Sequence, residues 1–373
     1  MIYFDNAATT LDKPESVIKA CDYALRSLSA NAGRGSHSLA IKAASIVYSA
    51  RKVVKDLVGC DDVIFTFNCT DALNTVLFGY YRPHGHVVTT VYEHNSTLRP
   101  LRELYKRYGV EFTAVVPNKH GIIDPADIER AIRPNTYLIA VNHASNVTGS
   151  VAPVNRIGGI ARKHGIPFLV DGAQSVGYLD VDMREINCNY LCFSPHKGLH
   201  GPQGIGCLCT FGSPPLKPVK FGGTGSASHT LEQPADVPEG FESGTLPVHN
   251  IFALIAAVTH HKRLSSSSMR NLASCGDMLR NELGKLPKIK IYGKHNVLPN
   301  IVTFNVSGMN AAAVGDILSE QYDIAVRCGL HCAPLCHKFL GTLDRGAVRA
   351  SLSYENTEAE VEFFLNAMRE IAK

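Results

Sequence analysis

The sequence predicts an α/β protein: a mostly parallel sheet of seven strands covered by helices on both faces, with a smaller α+β domain beside it. Three observations carry this expectation. Through the first two thirds of the chain, short apolar runs alternate with segments of helical period, the pattern of βα units feeding a parallel sheet. Beyond about residue 250 the pattern changes to one long helical stretch, then isolated strands and two further helices. The chain has 373 residues, 45% hydrophobic and 19% charged, with no low-complexity run, which exceeds one typical domain and permits a large core.

The strands expected in the large sheet are Val63–Phe67, His86–Val91, Glu111–Val116, Tyr137–Asn142, Pro167–Asp171, Tyr190–Phe193 and Gly204–Thr210. Helical patterns fall between them at Asp71–Tyr80, Thr97–Tyr108, Pro125–Ile132 and Val154–His164, the last bracketed by Pro153 and Gly165 as start and stop signals. Gly212–Gly240, rich in Pro, Gly and Ser, reads as a long irregular surface loop. One helical stretch is expected from about Val248 to Leu283. The tail then gives strands at Ile289–Tyr292, Asn300–Asn305, Ile324–Arg327 and Ala347–Leu352, with helices at Ala311–Gln321 and Thr357–Ile371. The reading divides the chain into a large domain, 13–250, and a small one, 1–12 with 251–373, the first dozen residues lying across the junction.

Composition narrows the function classes. The net charge of +4 is small for this length, and lysines and arginines are scattered, so no nucleic-acid partner is expected. No apolar stretch approaches a membrane span, and Met1–Asn6 lacks the basic and apolar regions of a secretory signal. Eleven cysteines without such a signal point to free thiols in a reducing compartment. The expectation is a cytoplasmic enzyme.

Ligands of parallel sheets bind beyond the carboxyl ends of the strands. Three such ends stand out, the first being Asn142-His143. Asp171 closes the apolar run Pro167–Val170, and Lys197 lies in Ser194–Gly206, a loop dense in small and polar residues. Alone, the lysine reads as a surface residue and the aspartate as a turn cap. Together, at consecutive strand ends, they are what pyridoxal phosphate requires. The lysine bonds the cofactor's aldehyde, and the carboxylate keeps the pyridine nitrogen protonated so that the ring accepts electrons.

The cofactor also needs a pocket for its phosphate dianion. Asn68-Cys69-Thr70-Asp71 follows a strand and opens a helix, so its amides and the Thr70 hydroxyl suit a phosphate, although the same segment reads as an ordinary cap. Ser194 and His196 are the next candidates. His94 follows another strand, where an imidazole can stack on the ring and shuttle protons. Asn146 and Gln174 are candidate hydrogen-bonding partners of the ring or substrate. Arg349, inside an apolar strand of the small domain, has the bidentate geometry that an amino-acid carboxylate calls for.

Arg327–His337 places Cys328, Cys332 and Cys336 at four-residue intervals with two histidines. The spacing is not that of common zinc modules, so no metal is expected. On a helix the three cysteines would form one small apolar face. The third reading is a nucleophilic thiol, since Gly329 and Pro334 break regularity around Cys332 and favour a loop that presents it.

At this point the chain closely resembles the class V aminotransferase-like enzymes of fold-type I, and among them the Suf-type cysteine desulfurases and selenocysteine lyases. The resemblance runs through Tyr3-Phe4-Asp5-Asn6-Ala7-Ala8-Thr9-Thr10, Arg34-Gly35-Ser36-His37, Val170–Gln174, Ser194–Gly206, Glu242-Ser243-Gly244-Thr245 and Arg349–Asn356. It implies that Lys197 carries pyridoxal 5'-phosphate, with Asp171 on the ring nitrogen and His94 stacked. Thr70, Ser194 and His196 would bind the phosphate. Cys69 and Asp71 alter the usual phosphate-loop sequence, with Asp71 kept as a cofactor-binding candidate, and Thr245 would reach the phosphate of a second subunit, giving a homodimer with shared sites. Arg349, Asn146 and Arg34 would bind L-cysteine or L-selenocysteine. Cys332, in its Arg-x-Gly-x-His-Cys-Ala setting, would receive the sulfur as a persulfide for delivery to an acceptor protein. Aminotransferase, β-lyase or racemase chemistry on the same fold is the alternative, and a non-catalytic sulfur or metal carrier the third. Cys328 stands where the family commonly has threonine or serine, Leu330 replaces a common histidine, and the short N-terminus is similar to that of a divergent clade. Cys328 either takes sulfur from Cys332, forms a disulfide that silences it, or is an inert small replacement.

Overall fold

The computed structural model describes residues 1–33 and 35–373. The chain opens with a two-residue strand, β1 (Ile2–Tyr3). A seven-stranded sheet follows, made of β2 (Asp62–Thr66), β3 (His86–Thr90), β4 (Glu111–Val115), β5 (Thr136–Asn142), β6 (Phe168–Asp171), β7 (Tyr190–Phe193) and β8 (Gly206–Thr210). Its spatial order is β2-β8-β7-β6-β5-β3-β4. The pairs from β7 to β4 are parallel, and β8 runs antiparallel to both of its neighbours. The expected mostly parallel sheet is therefore the one that forms.

Its central strands, β5 to β7, are largely apolar because both faces are covered. Along β5, Ile139 and Val141 enter one core while Leu138 and Ala140 enter the other. Val170 and Leu169 divide in the same way on β6. Register then sets the site. Asn142 pairs with Asp171 and Asp171 with Cys192, so the carboxyl ends of β5, β6 and β7 finish at one level.

The second sheet is antiparallel, with β9 (Ile289–Tyr292), β10 (Ile301–Val306), β12 (Arg327–Gly329) and β13 (Ala347–Ser351) in the order β12-β13-β10-β9. Between these in sequence, β11 (Ile324–Ala325) leaves the sheet to pair in parallel with β1. Expected strand Ile324–Arg327 is thus two strands facing different partners. In the register of β12 and β13, Arg327 stands directly opposite Arg349.

Two further expectations change. The single helix from Val248 to Leu283 is two, Val248–Arg263 and Ser266–Gly284. Leu264 is extended, and the Ser265 hydroxyl accepts from Ser268 N–H to start the second, a local cap that outweighs the continuous apolar period. Helices Glu15–Ser27 and Ser38–Val58 were not anticipated; both pack on Val248–Arg263. Gly212–Gly240 is loop except for the start of a short 3₁₀ turn at Glu239–Phe241. Among the described residues no helix is long and apolar enough to cross a membrane.

Candidate active site

The aligned ends of β5, β6 and β7, the start of helix Cys69–Gly79, the first residues of the chain and the β12–β13 edge enclose a cavity of about 250 Å³. Of the ten side chains expected at the cofactor, eight line it: Thr70, His94, Asn146, Asp171, Gln174, Ser194, His196 and Lys197, joined by Arg349, the residue expected at the substrate carboxylate. Asp71 and Thr245 do not.

Asp171 and Lys197 form the floor. Burial raises the Asp171 carboxyl, against the opposing pull of Ala173 N–H, Lys197 and the Cys69 thiol. Its Oδ1 takes both Ala173 N–H at 2.9 Å and Cys69 Sγ at 3.5 Å. Burial drives the Cys69 thiol far up, so it remains S–H and donates. Burial lowers the Lys197 ammonium, favouring the free amine that a carbonyl carbon requires. Ser194 Oγ accepts from Cys69 N–H at 2.7 Å and so ties the lysine loop to the helix start. His196, lowered to about 4 by burial and then by Lys197, holds Thr9 Oγ1 at 3.0 Å.

His94 caps helix Asn95–Tyr108. Its Nδ1 accepts from Ser96 N–H at 3.1 Å, and burial, then Lys197, lower its pKa to about 4. A neutral ring with Nδ1 accepting carries its proton on Nε2. Ser96 Oγ lies 2.8 Å from that Nδ1 and 2.6 Å from Thr70 Oγ1, linking the two predicted residues through one that the sequence reading passed over. Glu93, pushed up to about 8 by burial, accepts from Asn142 N–H and Thr90 Oγ and fastens the end of β3 to β5.

The N-terminal segment closes the cavity from the other side. Gln174 Nε2 donates to Ala7 O at 2.9 Å, and Thr10 N–H donates to His196 O at 3.0 Å. Arg349, 1% exposed, donates to Asp5 Oδ1 at 2.7 Å and to Asn146 O at 2.9 Å.

Cys332 stands at the rim. It lines an adjoining opening of about 460 Å³ whose walls include Thr70, His94 and Ser96, residues shared with the inner cavity. His331 and Cys332 both have left-handed backbone, φ 50° and 56°. Asn146 Nδ2 donates to His331 O and Asn95 N–H to Cys332 O, each at 2.7 Å. The buried imidazoles behind the turn allow one proton arrangement. His331 Nε2–H donates to Arg327 O at 3.2 Å, His337 Nε2–H donates to His331 Nδ1 at 3.3 Å, and Thr342 Oγ–H donates to His337 Nδ1 at 2.8 Å. Arg327, which also lines the inner cavity, brings Nη2 to 4.0 Å from Cys332 Sγ.

The remaining candidates lie elsewhere. Asp71 accepts from Phe67 N–H and pairs with Lys220, turned from the cavity. Thr245 is exposed, three residues after Glu242, which is anchored by Arg51 and Phe65 N–H. The Cys328 thiol packs on Gly315, where an added Cβ would meet it at 2.5 Å. Arg34 lies outside the described residues. Missed from the sequence were Arg327, Ser96 and the wall of Ala7 and Ala8, whereas Asn142, placed at a strand end, also lines the cavity. Arg327 was legible in principle, as a cation two places from a strand-breaking glycine beside Cys332.

Whether these groups fit pyridoxal phosphate can be tested on atoms that lack partners. Asn146 Oδ1, Gln174 Oε1 and Arg349 Nε are buried without a hydrogen bond, and all three residues line the cavity. Buried polar atoms rarely remain unpaired. Together with an amine, a carboxylate and a helix start, they fit a polar ring bearing an anionic arm and an amino-acid adduct.

Residues 2–364 match the family model Aminotransferase class-V. A protein of Methanothermobacter thermautotrophicus named probable cysteine desulfurase is 34% identical, over all of this chain and 94% of its own. The cysteine desulfurase IscS of Pectobacterium carotovorum is 31% identical over 99% of this chain and 92% of its own. The apo structure of cysteine desulfurase from Thermococcus onnurineus superposes with a TM-score of 0.91 at 33% identity, covering 100% of this chain and 94% of that one.

Proposed function

This chain belongs to the class-V aminotransferase family, and on that premise we propose that it is a pyridoxal-phosphate-dependent cysteine desulfurase of Suf type. L-cysteine and the Cys332 thiol give L-alanine and a Cys332 persulfide: the substrate Cβ–S bond breaks, an S–S bond forms to Cys332, and the carbon gains a proton. L-selenocysteine is the alternative substrate for the same steps. The observation that carries the reading is the position of Cys332, in a short turn at the rim of the cavity whose floor is Lys197 and Asp171.

Bound there, the cofactor supplies an electron sink for bonds at the substrate's α-carbon. The protein's residues do the rest. Asp171, with Oδ1 occupied by two donors, offers its other oxygen to the pyridine N–H. Lys197 holds the cofactor and moves the α-proton. Thr70, Ser194, His196 and the first-turn amides of helix Cys69–Gly79 take the phosphate. Thr245 completes that pocket in a second copy of the chain, making the working unit a homodimer. Asp71 is better placed to fix the loop through Lys220 than to meet an anion. Gln174 and Asn146 orient the ring and substrate. Arg349 takes the substrate carboxylate, and His94 Nε2–H is poised as proton donor to the substrate side. The Cys332 thiol, with Arg327 Nη2 4.0 Å from its Sγ, attacks the substrate sulfur. A thiol-bearing acceptor reaches Cys332 through the outer opening. Eleven free cysteines suit the reducing cytoplasm.

The test is alanine release from L-cysteine under reducing conditions. Wild type should form alanine and a persulfide at Cys332, and Cys332→Ala neither. Alanine at an unchanged rate from Cys332→Ala, or a keto acid in place of alanine, would refute the proposal.

A further inference from the structure

Among the described residues, Asp5 is the one carboxylate paired with Arg349, and the activity as proposed gives it no part. Arg327 and Arg349 stand opposite one another on adjacent strands and both line the cavity. Like charges in that register repel unless an anion lies between them. Among the described residues, Asp5 is the only carboxylate within salt-bridge distance of either, through Arg349 Nη2. Two positive charges face one negative charge, and the deficit is that of one carboxylate. The deficit has a defined place. Arg349 Nη1 and Nη2 are held by Asn146 O and Asp5, while Nε is buried without a partner.

We propose that Asp5 is a resident carboxylate that shares the Arg349 guanidinium with the incoming amino acid, aiming it and at the same time weakening its hold on that ligand. This inference rests on the reading of Arg349 as the carboxylate-binding residue. Asp5 is fixed for the task, since Phe4 N–H bonds Ala325 O at 2.8 Å and Asn6 N–H bonds Ser351 O at 3.2 Å on either side of it. Its negative charge opposes substrate and product carboxylates alike. Such uniform weakening raises KM and hastens release of product without altering the chemical step.

Asp5→Asn keeps an oxygen acceptor for Nη2 and removes the charge, whereas Asp5→Ala removes both. The probe is absorbance titration of the cofactor-loaded enzyme with L-alanine and with L-alaninamide, which lacks the carboxylate. Asp5→Asn should bind L-alanine about fivefold more tightly, the effect of one partly screened charge, with L-alaninamide unchanged. Asp5→Ala should bind L-alanine more weakly than Asp5→Asn. Thermal unfolding within a few degrees of wild type certifies that each variant is folded. If Asp5→Asn weakens L-alanine as much as Asp5→Ala does, Asp5 merely aims the arginine and the inference fails. If wild type itself does not distinguish alanine from alaninamide, the assignment of Arg349 fails first and the inference falls with it.

Discussion

The cavity floor and the Cys332 turn lie at one site but are held by opposite means. Asp171 ends a strand paired in register on both sides, and every residue of β5 after Thr136, and of β6 and β7, is buried. Its position follows from regular structure. Cys332 sits where two successive non-glycine residues adopt left-handed backbone, at a cost of roughly 1 kcal/mol each. What holds it comes from elsewhere in the chain: Asn95 and Asn146 on its carbonyls, and the His331–His337–Thr342 relay behind it. The floor is thus a rigid seat and the turn a tensioned one. Damage to the first should abolish everything, whereas damage to the second should separate sulfur removal from cofactor binding.

The largest effect is expected from Lys197→Ala, which would remove the proposed covalent attachment and the proposed proton carrier together. Desulfuration should fall by about 10²–10⁴-fold, and the lysine-bound cofactor absorbance should vanish. A variant that kept both would show that the floor is not the seat of the chemistry.

His337→Ala should act on the turn alone. Losing the buried relay costs about 1–3 kcal/mol, so alanine formation should drop several-fold while cofactor absorbance stays as in wild type. The stability difference from wild type should also depend on pH. Burial lowers His331, and lowers His337 to about 4, below the 6.5 of an unfolded histidine. Their contribution is therefore complete above pH 6.5 and declines as pH falls toward 4. Melting temperatures measured across that window should converge on the acid side; parallel curves would mean that the two imidazoles do not act as a neutral pair.

The smallest effect is expected from Cys328→Ser. Its thiol faces Gly315 and the core under the antiparallel sheet, and burial raises it to about 11. Turnover and persulfide on Cys332 should match wild type within error. Persulfide trapped on Cys328 by alkylation and mass spectrometry would restore the relay and tie the turn to a second thiol.

The same contrast explains what could be read from residues alone. Strand ends are legible because apolar runs stop abruptly at polar residues, which exposed Asp171, Asn146 and the Lys197 loop. The seven strands were located to within two residues at each end for the same reason. Helices Glu15–Ser27 and Ser38–Val58 escaped because neither is framed by strands, and Leu264 gives no warning that one helix becomes two. Ser96 and Arg327 were missed because their importance lies in partners more than 20 residues away or across a strand pair. Asp71 looked like part of an anion loop, yet its carboxylate serves Phe67 and Lys220.

The first ten residues run from β1, paired with β11, past Arg349 to the carbonyl of His196. Contacts that close loops of more than 300 residues are among the slowest a chain can make. During synthesis this segment therefore has no partner until β11 and β13 have followed it. The large sheet can assemble earlier, with Lys197 and Asp171 already in place, but Arg349, the residue proposed to receive the substrate, gains its Asp5 partner last. A nascent or truncated chain would then hold its cofactor before it can recognise an amino acid, so competence to bind and competence to react arrive in that order.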